Sequence, residues 1–479
     1  MTHVRTRFAP SPTGMMHVGG VRTALYAWLY AKQHGGDFIL RIEDTDKNRE
    51  IEGSIGHIIE SLKWLGIEWS EGIDIGGPHE PYIQSGRLDS YREYANKLLT
   101  EGNAYPDPFT EEEVEEFRAK AESEKRPFLF RDHRPTNLQE WDGKAPLRFR
   151  VPEIKRYEWN DLIRGTLSAG EEALDDFILM KSDGYPTYNF AHIIDDFEMK
   201  ITHIMRGEEF ISSTPKFLSL YDALGIQRPE IATMPVILGA EGTKKLGKRD
   251  GAKDILDYRA EGYLPAAMMN FLALLGWHPT GDNEVLSADD LLREFDIERV
   301  QKSGAQFDED KLLFINREWM RKLNDDAFIQ QGSLTAPDHA TLLKAVPLLK
   351  ERVYTFGEAR EMLAGELSCL FTAPQSLDRA MLVSKEHTDA PASTKTHLEA
   401  LLGLISSLHE DGTADSIKET LMPYADSIPK EQGGRGSVLW PLRYALSGQE
   451  RSPDPFTLIS ILGVSESTSR IRTALDILG

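Results

Sequence analysis

Two short segments carry residue types suited to handling phosphate. The first, Pro10-Ser11-Pro12-Thr13-Gly14-Met15-Met16-His17-Val18-Gly19-Gly20, ends in a histidine followed by glycines. Where such a segment opens a helix, the first turn offers unpaired N–H groups and a partial positive charge. Gly19 and Gly20 let an anionic ligand approach the backbone, and His17 can donate a hydrogen bond to a phosphate. The second segment runs from Glu241 to Gly251 and places Lys244, Lys245, Lys248 and Arg249 within six positions, between glycines. A basic loop of this kind suits a reaction in which negative charge builds on leaving pyrophosphate. Each segment alone also has a plain structural reading. His17 can simply start a helix, and the basic run can be a solvated turn.

The surrounding elements place both segments. His3 to Ala9 alternates in character, as a strand does. Pro10 and Pro12 lack N–H donors and end it. Gly19 to Lys32 then carries Val21, Leu25, Trp28 and Leu29, an apolar stripe at helical spacing. After the Gly35-Gly36 turn, Phe38 to Ile42 reads as a second strand. This βαβ unit predicts a parallel sheet and an α/β fold. From about Gly102 to Asp176 the style changes to proline, charge and short strands such as Leu147 to Val151, as an insertion would. Within it, Thr110 to Ser123 reads as an acidic helix capped by Thr110, with Glu113 three residues on. Parallel-sheet character returns between Ile178 and Leu238. Leu264 to Trp277 reads as an apolar helix opened near Pro265. Beyond Trp319 strand signals are scarce, and helices are expected at Leu342–Leu349, Phe356–Phe371, Thr394–Leu408 and Pro455–Leu462.

The 479 residues suggest about three to five domains. A hydrophobic fraction of 40% belongs to a folded protein. The net charge of -22 speaks against nucleic acid in total, yet binding depends on local basic patches. The single cysteine, Cys369, can form neither an internal disulfide nor a multi-thiolate zinc site, and reads as a small buried hydrophobe. The N-terminus lacks the apolar core of a secretory signal. No run approaches ~20 apolar residues, so no membrane span is expected. A cytoplasmic protein is expected.

Together the two phosphate-handling segments resemble the paired HIGH and KMSKS elements of class I aminoacyl-tRNA synthetases. In detail the chain is similar to the bacterial-type glutamyl-tRNA synthetase family. The resemblance rests on RFAPSPTG with HVGG, RTALYAWLYAKQHGG and FILRIEDTD, then Gly76 to Tyr82, Lys181 to Ala191, Asp195-Asp196, Ile204 to Glu209, the LLGWHP run, and Phe307-Asp308 with Lys311, Leu312 and Asn316. It holds in order over residues 4 to 320 and more loosely beyond.

The resemblance implies a Rossmann-like parallel-sheet catalytic domain with an α+β insertion and an all-α anticodon-binding half. The implied limits are 1–100 and 188–240 for the catalytic halves and 101–187 for the insertion, which grips the tRNA acceptor end. The basic loop and stem-contact domain follow at 241–320, then two helical parts at 321–380 and 381–479. It implies ATP-dependent activation of L-glutamate and transfer to the 3' end of tRNA(Glu), releasing AMP and pyrophosphate. His17, Lys245 and Lys248 would be catalytic. Pro10, His17, Gly19, Gly20, Glu209, Lys245, Leu246, Gly247, Lys248 and Arg249 would hold ATP with its Mg2+.

Arg7, Ala9, Ser11, Glu43, Tyr188, His192 and Arg206 would form the glutamate pocket. An arginine fork suits a carboxylate, and two such forks suit a dicarboxylate. Tyr188 and His192 share a face if their segment is helical. Arg352, Arg435 and Arg443 would contact tRNA.

Two departures from the family pattern stand out. Lys245-Leu246-Gly247-Lys248-Arg249 carries glycine where the family has serine. Asp107 and Phe109 stand near the first two cysteines of a zinc knot that some members carry, so no structural zinc is expected. The expected enzyme is a monomer. The rival readings are a non-discriminating synthetase that also charges tRNA(Gln), a glutaminyl-tRNA synthetase, and a catalytically silent tRNA-binding relative. The strand-poor C-terminal half weighs against the glutaminyl enzyme. Retention of His17, Glu43, Lys245 and Lys248 weighs against the silent relative.

Overall fold

The protein is described by a computed structural model covering residues 3–137, 140–247, 253–383 and 391–479. It divides into two compact units, Met1–Arg259 with Leu264–Ile315, and Ala260–Tyr263 with Asn316–Gly479.

The first unit opens with the expected βαβ. Strand β1 (Arg5–Phe8) is followed by helix α1 (Val18–Gln33) and strand β2 (Asp37–Leu40). β1 and β2 pair in parallel, Arg7 opposite Ile39, and β3 (Glu71–Gly72) joins β2, also in parallel. The apolar stripe of α1 is buried, with Val21 and Leu25 fully sealed. At roughly 1.5–3 kcal/mol per buried aliphatic side chain, this stripe holds the helix on the sheet. Gly36 is obligatory, because a Cβ there would lie 2.1 Å from the Val4 carbonyl oxygen. Helices α2 (Ser54–Trp64) and α3 (Leu88–Thr100) follow.

The inserted region contributes β4 (Ala104–Pro106), helix α4 (Glu111–Ser123), β5 (Leu147–Phe149), the hairpin β6 (Tyr157–Asp161) and β7 (Gly165–Ala169), and β8 (Phe177–Met180). The expected cap on α4 is present. Thr110 Oγ1 accepts the Glu113 N–H at 3.3 Å, and the Glu113 carboxylate accepts the Thr110 N–H at 2.9 Å. β4, β5 and β8 form an antiparallel sheet. Parallel pairing was expected from Ile178 onward, but the 178–180 strand edges the insertion's antiparallel sheet instead.

Parallel pairing resumes after α5 (Tyr188–Glu198) with β9 (His203–Gly207) and, beyond α6 (Thr214–Leu224), β10 (Glu230–Met234). β9 runs beside β1, where the Thr202 N–H donates to the Arg5 carbonyl at 2.9 Å. β6 adds in parallel to the far side of β10, so the hairpin of the inserted region extends this sheet. The unit continues through β11 (Ile237–Leu238), α7 (Ile255–Glu261), α8 (Pro265–Leu274), α9 (Ala288–Glu294) and β12 (Ala305–Gln306). α8 stops three residues short of the expected Trp277, because Gly276 adopts φ 103°.

Helix α10 (Glu309–Lys322) leads into the second unit. There α11 (Asp325–Gln331), α12 (His339–Arg352), α13 (Phe356–Ala364), α14 (Arg379–Leu382), α15 (Pro391–Ile405), α16 (Ala414–Ser427), α17 (Gly434–Ser447) and α18 (Pro455–Leu478) follow, with no strand among the described residues. α13 ends before the expected Phe371 because Gly365 leaves helical geometry. α18 outruns the expected Leu462 through a kink at Gly463, φ 81°. Cys369 is buried, and burial pushes its thiol up to about 11. No described helix is long and apolar enough to cross a membrane.

Candidate active site

The phosphate-handling loop starts where β1 runs out. Backbone and side-chain bonds hold it: the Glu43 N–H to the Pro10 carbonyl at 3.0 Å, the Ile51 N–H to Pro12 at 2.9 Å, and Ser54 Oγ to Gly14 at 2.7 Å. His17 caps α1, its Nδ1 accepting the Gly19 N–H at 3.2 Å. A Cβ on Gly20 would meet only ordinary contacts, 3.5 Å to Met16 Cε. Protein packing therefore does not require glycine there, whereas close approach of a ligand would.

The basic segment enters on the opposite wall. Lys245 bridges antiparallel to Leu238, and the Leu246 N–H donates to the Ile237 carbonyl at 2.8 Å. His17, Gly19, Gly20, Glu209, Lys245 and Leu246 line one cleft of about 200 Å³. Lys245 Nζ lies 3.7 Å from Glu209, with both side chains more than half exposed. Such a pair is weak, so an incoming phosphate can take the lysine from it. Pro10 and Gly247 stand outside the cleft lining. Lys248 and Arg249 lie outside the described residues.

Below this cleft is a sealed cluster of charge. Arg7 leaves β1 and grips Asp196 of α5 through Nε at 3.0 Å and Nη2 at 3.3 Å, while Nη1 reaches the Met205 carbonyl at 3.3 Å. Glu43 is buried against Arg41 at 2.9 Å. Burial raises the Glu43 carboxyl above its ordinary value, with the Arg41 charge opposing. Tyr188 and His192 fall on one face of α5, their rings stacked 4.7 Å apart. Burial pushes the Tyr188 phenol up to about 12.

His192 Nδ1 lies 2.7 Å from the Tyr188 carbonyl, which can only accept, so this nitrogen carries the proton. Burial first, then the Arg206 charge, lower this histidine to about 3. It is a neutral ring near neutral pH. Arg206, on β9, is 5% exposed, and its Nε and Nη1 have no hydrogen-bond partner. Its guanidinium lies over Phe210 and Phe217, 5.7 and 5.3 Å from the ring centroids. Buried guanidinium donors without acceptors are costly, and an anionic ligand would satisfy them. Ala9 and Ser11 sit on the loop just beyond Arg7, Ser11 exposed.

Residues 3–314 match the family model described as the catalytic domain of class I tRNA synthetases (E and Q), and residues 316–475 match an anticodon binding domain. The glutamate–tRNA ligase of Anaeromyxobacter sp. (strain Fw109-5) is 38% identical, covering 100% of both chains. That of Heliobacterium modesticaldum is 40% identical over 100% of this chain and 98% of its own. The structure of a glutamate tRNA ligase from Elizabethkingia meningosepticum, in complex with its amino acid, aligns with a TM-score of 0.86 at 37% identity, covering 99% of this chain and 100% of that one.

The chain belongs to the glutamyl-tRNA synthetase family.

The synthetase has the class I architecture expected from its sequence, a parallel-sheet catalytic domain and a helical anticodon-binding domain. Its charge cluster reaches further than sequence reasoning did. Arg41, fully buried on the strand edge, faces Asp196 at 2.9 Å and Asp195 at 3.6 Å. Asp195 is also held by Arg87 at 2.7 Å, Gln84 at 2.8 Å and Tyr91 at 2.9 Å. Burial would raise Asp196, but Arg7 and Arg41 overcome it and hold the carboxyl well below its ordinary value. The available signal was an arginine inside the apolar run Phe38 to Ile42 and an acidic doublet on a helix.

The candidate tRNA-contacting arginines of the synthetase differ in how they are held. Arg352 pairs with Glu366 at 2.6 Å, one-third exposed. Arg435 pairs with Asp426 and is 64% exposed. Arg443 folds over Trp440, 4.8 Å from the ring centroid, and donates to the Glu450 carbonyl at 2.9 Å. Arg443 therefore packs its own helix to the following loop.

Proposed function

We propose that the cleft between His17 and Lys245 binds ATP, and that the pocket around Arg7, Glu43, Tyr188, His192 and Arg206 binds L-glutamate. The observation that carries this reading is Arg206, a buried guanidinium with two unpartnered donor atoms, whereas the neighbouring carboxylates are already paired with Arg7, Arg41 and Arg87. A side-chain carboxylate would accept from it, with Arg7 offering its remaining N–H groups. Glutamine would present a neutral oxygen, losing about 1–2 kcal/mol by the difference between charged and neutral hydrogen bonds. Glu43 supplies negative charge for the substrate ammonium.

The reaction then needs no protein nucleophile. The glutamate α-carboxylate attacks the α-phosphorus of ATP in line, and pyrophosphate leaves. The terminal ribose hydroxyl of the tRNA attacks the acyl carbon, and AMP leaves. Positioning and charge stabilisation carry both steps. The first turn of α1, His17 and Lys245 face the phosphates, and Lys248 stabilises the charge that builds on the leaving group. Mg2+ arrives on ATP as part of the substrate, which suits its preference for phosphate and water ligands. Among the described residues no group of three or more His, Cys, Asp or Glu side chains is arranged to hold a metal.

The inserted region takes the acceptor end of tRNA(Glu), and Arg352 and Arg435 belong to the surface that meets the anticodon. The inserted region works without zinc. Asp107 is bound by Arg148, and Phe109 packs edge-on to Phe117 at 5.1 Å. Pyrophosphate exchange into ATP, measured with tRNA(Glu) present, tests the reading. It should depend on L-glutamate, and exchange that is indifferent to glutamate would reject it.

A further inference from the structure

Helix α2 cradles the phosphate-handling loop from below. Besides Ser54 on the Gly14 carbonyl, it offers His57, whose side chain is 12% exposed. His57 Nδ1 accepts the Met16 N–H at 3.3 Å, and His57 Nε2 lies 2.9 and 2.8 Å from the two Asp254 carboxylate oxygens. The Met16 amide can only donate and the Asp254 carboxylate can accept. One neutral tautomer, with its proton on Nε2, satisfies both. Asp254 belongs to the strand-like return that follows the basic segment. There the Ile255 N–H donates to the Met16 carbonyl at 2.9 Å, and residues 17 and 254 form an antiparallel bridge. The Asp254 carboxylate also accepts the Leu256 N–H at 2.8 Å, which fixes its own orientation. His57 thus joins the residue before His17 to the chain that returns from the basic segment.

We propose that His57 is a positioning residue for ATP, holding the His17 cap and Asp254 in fixed register through its two ring nitrogens. It is not among the residues that line the cleft, and its side chain bonds to Met16, Ser61 and Asp254, none of them in the glutamate pocket. Its effect is therefore confined to the geometry at the first turn of α1. This rests on reading the His17–Lys245 cleft as the ATP site.

The test is pyrophosphate exchange by the full-length enzyme with tRNA(Glu), measuring KM for ATP and for glutamate separately. His57→Ala and Asp254→Asn should each raise KM for ATP about tenfold, the scale of one lost charge-assisted bond. KM for glutamate should stay within about twofold, because no contact of His57 reaches that pocket. The double variant should be no worse than either single one, since the two residues act as a unit. His57→Gln, whose amide nitrogen can donate to Asp254 and whose amide oxygen can accept the Met16 N–H, should raise KM for ATP less than His57→Ala does. A purely structural role would lower kcat through the active fraction and leave both KM values alone. Unchanged KM for ATP in folded variants, equal rises in both KM values, or additive losses in the double variant would overturn the proposal. Lys245→Ala separates the two levels. If it leaves KM for ATP unmoved, the assignment of the cleft fails. If it raises that KM while His57→Ala does not, only the positioning role falls.

Discussion

Arg7 and Asp196 are locked side to side, Nε to Oδ1 at 3.0 Å and Nη2 to Oδ2 at 3.3 Å, with both side chains almost sealed from solvent. The pair spans 189 residues of sequence and ties the first strand of the catalytic unit to helix α5. Removing one partner of such a buried pair leaves the other charge uncompensated. Asp196→Ala should destabilise the catalytic unit by about 3–5 kcal/mol, read by urea unfolding. A loss under about 1 kcal/mol would mean that Arg7 finds another partner. The same carboxyl gives a signature in pH. Its folded value lies below its ordinary one, so the folded chain is still ionised where the unfolded chain has bound a proton. The stabilisation is present above pH of about 4 and fades as pH falls further. Asp196→Asn should flatten that acid limb in a series of melting curves.

Arg206→Ala should raise KM for glutamate by about 10–100-fold, the range for one or more charge-assisted hydrogen bonds, and leave KM for ATP within about twofold. Steady-state exchange kinetics check both. A selective rise in KM for ATP would move Arg206 out of the amino-acid pocket.

His192 should stay neutral through physiological pH. Its folded value of about 3 lies below the ordinary 6.5, so the unfolded chain takes up a proton first as pH falls. Stability is therefore lost below pH of about 6.5. NMR of histidine-labelled protein, assigned by difference with His192→Gln, should show a ring that does not titrate between pH of about 5 and 8. A midpoint near the ordinary value would show that the pocket is wetter than its burial implies.

Lys248→Ala should cut adenylate formation by ~10²-fold or more, and Lys245→Ala should act mainly on ATP affinity. Rapid-quench measurement of adenylate separates rate from binding. Unchanged turnover in Lys248→Ala would remove the basic loop from the chemistry.

The inserted region rests on aromatic packing. Phe117 stacks on His133 at 4.1 Å, and Arg148 lies 3.5 Å over the Phe130 ring. Phe117 is half-buried, so Phe117→Ala should cost about 1–2 kcal/mol, lowering the melting temperature by a few degrees. EDTA should leave the melting temperature of the wild-type protein unchanged. A drop on chelation would mean that a metal supports this region.

What was legible in the sequence was local. His17, Gly19 and Gly20 sit within one loop-to-helix turn, and the stripe of α1 repeats at helical spacing, so neighbouring residues announce both. The Arg7 and Arg206 assignments came from the ordered run of family motifs, not from spacing. The arginine network was not legible, because Arg41, Arg87 and Asp195 meet only after three elements pack. Nothing local in Phe38 to Ile42 says that its arginine points inward. The strand at Tyr157 was hidden for a similar reason. Its parallel partner, Ile231, lies 70 residues beyond Asp161, past two helices and an antiparallel edge. The helix expected over Pro455–Leu462 runs on to Leu478 through a kink at Gly463.

Whether this enzyme joins glutamate to tRNA at the expense of ATP is read from a charging assay. Purified enzyme should be incubated with labelled L-glutamate, ATP with Mg2+, and tRNA(Glu) or tRNA(Gln) in separate reactions. The expected product is glutamyl-tRNA(Glu), with AMP and pyrophosphate released in equal amounts. A signal on tRNA(Gln) as well would make the enzyme non-discriminating. Failure to form glutamyl-tRNA on either substrate, from folded enzyme, would overturn the assignment.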